Sequence, residues 1–184
     1  MAKVAVMGAG SWGTTFAKVL ADAGNDVVIW ARRDDVVDEI NSQHRNGDYL
    51  PGIRLPKSLS ATTDASEAMK DAEQIYLAVP SQSLRTNLEA CGATIPDAAI
   101  LVSLMKGVEK ETGLRMSEVI TDAIGVHADR IVVVSGPNLS LEIAQEQPTA
   151  SVAASSNPEA ASAVASASSN SYFTTFTNKD VIGT

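Results

Sequence analysis

Short apolar runs recur along the chain: KVAVMG (3–8), DVVIWA (26–31), QIYLAV (74–79), AILVSL (99–104), RIVVVS (130–135), TASVAA (149–154) and YFTTF (172–176). Their apolarity is continuous rather than alternating, the pattern of strands covered on both faces. Between them the period changes to that of helices. SWGTTFAKVLADAG puts Phe16, Val19 and Leu20 on one face and stops at Gly24. DDVVDEIN follows acidic capping residues and carries Val36, Val37 and Ile40, and TGLRMSEVITDAIG sets Leu114, Ile120 and Ile124 on a stripe closed by a glycine. Strands that alternate with helices predict right-handed crossovers and an α/β fold with a doubly wound, mostly parallel sheet. The Ala/Ser-rich stretch 151–171 predicts a small-residue surface helix rather than a linker. Pro158 suits a first helical turn, and alanine is the strongest helix former. With no internal repeat and no linker, residues 1–184 read as a single domain.

Composition narrows the partners. At 184 residues and 45% hydrophobic the chain suffices for one core. Its 14 basic and 22 acidic residues leave a net charge of −8, which opposes nonspecific attraction to nucleic acid or to an anionic membrane. Any anionic ligand must then be met by local positive charge. Cys91 is the only cysteine, so no intramolecular disulfide is expected. No Cys/His group has zinc-site spacing, so no metal is expected either, and the chain reads as reduced and cytoplasmic. The N-terminus is too short and too rich in glycine for a signal peptide, and no later stretch reaches the length of a membrane span.

Gly8-Ala9-Gly10-Ser11-Trp12-Gly13 is a G-x-G-x-x-G sequence set between the first strand and the first helix. Gly8 suits a tight turn, Gly10 lets backbone approach a pyrophosphate, and Gly13 lets helix and strand pack closely. The helix N-terminus adds free N–H groups and the positive end of its dipole. The pattern therefore predicts a Rossmann-type dinucleotide site. In such a site the second strand usually ends on an acid that accepts from the adenosine ribose of NAD. Here it ends Trp30-Ala31-Arg32-Arg33. A guanidinium there can hold a 2′-phosphate bidentately, which points to NADP(H), with NAD(H) as a second coenzyme. The other reading is that Arg32 and Arg33 pair with Asp34 and Asp35 on the surface.

Beyond the glycine loop, YLPGIRLP (49–56), AVPSQ (78–82), KGVEKETG (106–113), SGPNLSLEIA (135–144) and the terminal NKDVIGT follow in order. With GAGSWGTTFA and WARR, these stretches resemble the N-terminal domain of bacterial NAD(P)-dependent sn-glycerol-3-phosphate dehydrogenases over essentially the whole chain. The Lys-Gly and Ser-Gly-Pro-Asn segments are the most specific. The resemblance implies that Ser11, Trp12, Arg32 and Arg33 contact NADPH and that Tyr49 lies near the adenosine. It further implies that Lys106 sits between coenzyme and substrate, that Gly136 and Asn138 touch the substrate, and that Ser140 returns to the coenzyme. The implied reaction is hydride transfer between the nicotinamide and C2 of dihydroxyacetone phosphate or sn-glycerol 3-phosphate, feeding glycerophospholipid synthesis. Family members continue into an all-helical C-terminal substrate domain. That domain would carry the general acid/base lysine beyond Thr184 and the substrate-phosphate site, and a homodimer is expected of the full-length enzyme. No catalytic residue is expected within 1–184, and this stretch by itself is expected to be inactive.

Other residues read as structural. His44 and His127 are expected at the surface, Glu142 and Glu146 on a solvated helix face, and Cys91 as a buried or half-buried filler. Lys106 is expected to have a flexible glycine behind it. Two rival functions share the glycine loop: a ketopantoate- or hydroxy-acid-type NADP-linked reductase, and a non-catalytic NADPH-sensing module.

Overall fold

The computed structural model describes residues 1–184 as one eight-stranded sheet with helices on both faces. In chain order the elements are β1 (Lys3–Met7), α1 (Ser11–Asp22), β2 (Asp26–Trp30), α2 (Asp34–Gln43), β3 (Leu59–Thr62), α3 (Ala65–Met69), β4 (Gln74–Leu77), α4 (Leu84–Cys91) and β5 (Ile100–Ser103). There follow α5 (Met116–Ile124), β6 (Ile131–Ser135), α6 (Ser140–Ala144), β7 (Thr149–Ala154), α7 (Pro158–Ser168) and β8 (Phe173–Asn178).

The strand order is β3-β2-β1-β4-β5-β6-β7-β8. All pairs are parallel except β6 with β7. The chain reverses its direction of travel across the sheet between β1 and β4, the switch point beside which open α/β sheets form their crevice. Met7 pairs with both Trp30 and Leu77, and Leu77 pairs with Ser103, so the carboxyl ends of four strands finish level.

Alternate residues of the same strand feed two cores. Val4, Val6, Val27 and Ile29 join α1, α2 and α7, whereas Ala5, Met7, Ile75 and Leu77 join α3, α4 and α5. Phe16 centres the first core, its ring 5.4 Å from Trp12, 5.3 Å from Tyr76 and 5.6 Å from Phe173. The fully buried Tyr76 hydroxyl donates to Gln74 Oε1 at 2.6 Å, and burial pushes its pKa up.

Several expectations change in detail. α1 is buried on every side from Gly13 to Ala21 instead of along one stripe, because α6 and α7 also pack against it. Lys18 is enclosed with it. Its ammonium lies 2.6 Å from Asp22 and 2.9 Å from Glu146, over the Tyr172 ring. Burial acts to lower the Lys18 pKa, but the bonds to Asp22 and Glu146 outweigh it and raise it.

Glu146 is not on a helix face: α6 ends at Ala144, and Glu146 follows in the left-handed region at φ 64°. α7 starts with Pro158 in its first turn, yet it buries Ala160, Ala161, Val164, Ala165, Ala167 and Ser168 and so is a core helix. The N-cap of α2 is Arg33, leaving Asp34 and Asp35 in the first turn. Cys91 is half-buried, and burial raises its thiol pKa. His127 is exposed, whereas His44 is half-buried with Nδ1 enclosed and unpartnered. No helix is long and apolar enough to cross a membrane.

Candidate functional site

The level strand ends open into a cavity of about 850 Å³, within the range of small-ligand sites. Of the residues singled out in the sequence, Gly8, Gly10, Ser11, Trp12, Gly13, Arg32, Arg33, Tyr49, Lys106, Asn138 and Ser140 line it. Gly136 stands just outside the lining, and its carbonyl accepts from Lys106 Nζ at 3.4 Å. A Cβ on Gly136 would meet Ala150 O at 3.1 Å, so its glycine serves close packing on β7.

The three loop glycines differ in their surroundings. Gly8 has φ 122°, and a Cβ there would lie 2.8 Å from Ala78 O. A Cβ on Gly13 would fall 1.9 Å from Gly8 O, so helix and turn can meet only through a glycine. Gly10, the N-cap of α1, has nothing within 4 Å of such an atom. No side chain caps α1 and no acid occupies its first turn. Its first N–H groups and positive dipole end therefore remain available at the cavity. Room over Gly10 together with unspent amides fits a pyrophosphate.

The loop is braced by three side chains, of which sequence reasoning missed Asn46. Asn46, fully buried, donates through Nδ2 to Ala9 O at 3.0 Å and to Thr14 Oγ1 at 2.8 Å. Ser11 Oγ donates to Tyr49 O at 2.9 Å, which ties the 44–55 segment to the start of α1. The Trp12 indole N–H donates to Leu104 O at 3.0 Å and so joins the same helix to the end of β5. Trp12 thus lines the cavity and holds it together.

The two arginines behave differently. Arg33 forms a bidentate pair with Asp35 and a 2.8 Å bond to Asp48. These hydrogen bonds, Asp35 first, hold the Arg33 pKa above its usual value and the Asp35 carboxyl below its own. Arg32 is exposed at the cavity with no ion-pair partner. The surface-pairing reading thus describes Arg33, although with Asp48 in place of Asp34, and it does not describe Arg32.

At the other end Lys106 projects from the β5 edge with no carboxylate partner. Past the glycine the stretch is fastened by hydrogen bonds. Gly107 adopts φ 101°, and Gln82 bonds Val108 O at 2.8 Å and Lys110 N at 3.0 Å. Arg85 grips Glu109 through two 2.9 Å bonds, which keep the Glu109 carboxyl below its usual pKa. Asn138 exchanges hydrogen bonds of 2.8 and 3.0 Å with the buried Ser151 Oγ of β7, and Thr15 Oγ1 donates to Ser140 O at 3.2 Å. Of the side chains that fasten this end, Gln82, Glu109 and Asn138 lie in stretches that carry the family resemblance, and Arg85 and Ser151 do not.

The switch-point cavity and the glycine turn on an uncapped helix define the class: a Rossmann-type α/β domain with a dinucleotide-binding loop. Residues 3–161 match the family model described as NAD-dependent glycerol-3-phosphate dehydrogenase N-terminus, and the chain belongs to that family. It is 58% identical over 179 residues to a glycerol-3-phosphate dehydrogenase (NAD(P)+) of Leifsonia xyli, covering 97% of this chain and 48% of the relative. It is 57% identical to the protein of that name from Corynebacterium aurimucosum, covering 100% of this chain and 55% of the relative. The crystal structure of glycerol-3-phosphate dehydrogenase from Coxiella burnetii superposes with a TM-score of 0.90 at 32% identity, over 98% of this chain and 55% of that one. The chain thus spans about half the length of these relatives. The family match disfavours both the other reductases and the sensing module.

Proposed function

We propose that this chain binds NADP(H), and NAD(H) less tightly, as the coenzyme domain of a dehydrogenase that interconverts dihydroxyacetone phosphate and sn-glycerol 3-phosphate. The observation that carries this reading is the uncapped start of α1 beneath open space at Gly10. The first-turn amides from Ser11 to Gly13 hold the pyrophosphate, and Arg32 meets the 2′-phosphate. Tyr49 closes the adenosine side, and Ser140 lies along the coenzyme. A bound nicotinamide supplies or receives the hydride. Lys106, beside Gly136 and Asn138, places a cation where a substrate oxygen or anion can be held.

The remaining parts of this reading rest on the resemblance to the family. A helical domain beyond Thr184 contributes the general acid/base lysine and the grip on the substrate phosphate, and the full-length enzyme forms a homodimer. The protein works in the cytoplasm, in glycerophospholipid synthesis.

Titration of the 184-residue chain with NADPH and NADH tests the reading, followed through Trp12 and Trp30, its only tryptophans, which both line the cavity. Arg32→Ala is expected to weaken NADPH about tenfold or more, the worth of a charge-assisted bond, and to leave NADH little changed. Equal loss for both nucleotides would remove Arg32 from the 2′-phosphate site. Failure of the unaltered chain to bind either nucleotide would refute the coenzyme role.

A further inference from the structure

Around the second arginine, acidic charge exceeds basic charge. Arg33 pairs with two carboxylates, Asp35 in the first turn of α2 and Asp48 from the 44–55 segment, and Asp34 adds a third acid to that first turn. Asp34 and Asp35 have a local reason to be there, since acids in a first turn complement the helix dipole. Asp48 has no such reason. It lies 15 positions from Arg33 in sequence, is largely exposed, and reaches Arg33 Nη1 at 2.8 Å. Its neighbour Tyr49 lines the cavity and is clipped to Ser11. Asp48 therefore occupies Arg33 Nη1, the donor group that the bidentate pair with Asp35 leaves uncommitted, and it adds a negative charge beside that guanidinium.

We propose that Asp48 is a specificity-determining residue: by holding Arg33 and opposing added negative charge, it limits the preference for a 2′-phosphorylated adenosine over an unphosphorylated one. This rests on the coenzyme reading above. A 2′-phosphate must compete with Asp35 and Asp48 for Arg33 and is left with Arg32 as its one uncommitted guanidinium. An adenosine with a free 2′-hydroxyl meets none of that repulsion. The site is thereby kept open to both nucleotides although its sequence carries two adjacent arginines.

The test is a set of fluorescence titrations with NADPH and with NADH on the unaltered chain, Asp48→Asn, Arg33→Ala and the double variant, at low and at high salt. Asp48→Asn keeps the side-chain shape and removes the charge. Asp48→Ser serves as a second variant, and melting curves check that each is folded. The expected result is that Asp48→Asn tightens NADPH on the order of fivefold, the effect of one unit charge a few ångström away in water, with NADH changed less than about twofold. In the Arg33→Ala background the part of the gain that comes from releasing Arg33 should be lost and the part that comes from direct repulsion should remain, and the whole gain should shrink at high salt. Equal changes for NADPH and NADH would mean that Asp48 only orders its loop, and an unchanged NADPH-to-NADH ratio would mean that it does not set specificity. Either result overturns the proposal. If the unaltered chain binds neither nucleotide, the coenzyme reading falls and this inference falls with it; the variants are then not reached.

Discussion

The two ends of the cavity are built differently. At the glycine-loop end the groups offered to a ligand are backbone amides, and the surrounding side chains hold that backbone in place: Asn46 on Ala9, Ser11 on Tyr49, Trp12 on Leu104. At the Lys106 end the group offered is an exposed side chain with one 3.4 Å contact, standing on a loop that Gln82 and Arg85 fasten from below. Binding and folding are therefore coupled at Gly13 and at the bracing side chains of the first end, and separable at the second. A change at those positions disturbs the fold as it disturbs the amides, whereas the lysine can be removed without taking a buried contact away.

The largest effect expected from this contrast is at Gly13. A methyl group there meets backbone at 1.9 Å, and overpacking against an atom that cannot turn aside costs at least about 3 kcal/mol. Alanine's helix propensity returns only about 1 kcal/mol. Gly13→Ala should lower Tm by at least roughly 4–8 °C in a thermal melt and abolish NADPH binding. Gly10→Ala is the exception within the loop. Its φ of −74° suits alanine and no atom stands in the way, so the melt should be nearly unchanged while NADPH affinity falls. Were Gly10→Ala to bind NADPH normally, the pyrophosphate would not sit over Gly10.

Asn46→Ala should give a smaller, mixed effect. Two buried hydrogen bonds are lost at a net cost of about 1–2 kcal/mol, with Tm lower by roughly 2–8 °C and NADPH affinity reduced severalfold. A destabilised variant with unaltered affinity would show that Asn46 holds the fold and not the loop. The smallest effect on stability is expected at Lys106. Lys106→Met should melt within about 1 °C of the unaltered chain, since exposed substitutions free of special contacts are near neutral. A large fall in Tm would contradict the separability of the second end.

Much of the fold can be read from the strands that carry continuous apolar runs. β1, β2, β4, β5 and β6 are covered on both faces, and their burial leaves a composition that needs no partner to be recognised. β3 was not legible. Its LSAT buries only Leu59 and Ala61 at the sheet edge, too few positions to stand out from a loop. α1 was legible as a helix but not as one enclosed on all sides, because Lys18 reads as solvent-facing until Asp22, Glu146 and the Tyr172 ring gather around it. Within the site, the glycines and Lys106 stood out through their neighbours in sequence. Asn46 and Ser151 did not, since their partners lie 37 and 13 positions away and nothing in either residue's flanks announces them.

By itself, the sequence determined whatever depends on short-range geometry: strand and helix periods, the glycines that let a turn enter a helix, and the absence of a capping side chain at its start. These follow from φ/ψ and steric limits within a few residues. The tertiary structure alone decided which polar groups are already engaged. Arg32 and Arg33 are adjacent and chemically identical, yet one is committed and the other is not. The difference lies in Asp35 and Asp48, which reach the second guanidinium and not the first. A charge acts through space on whatever is nearby, and for Asp48 that proximity is set by the packing of the 44–55 segment against the glycine loop.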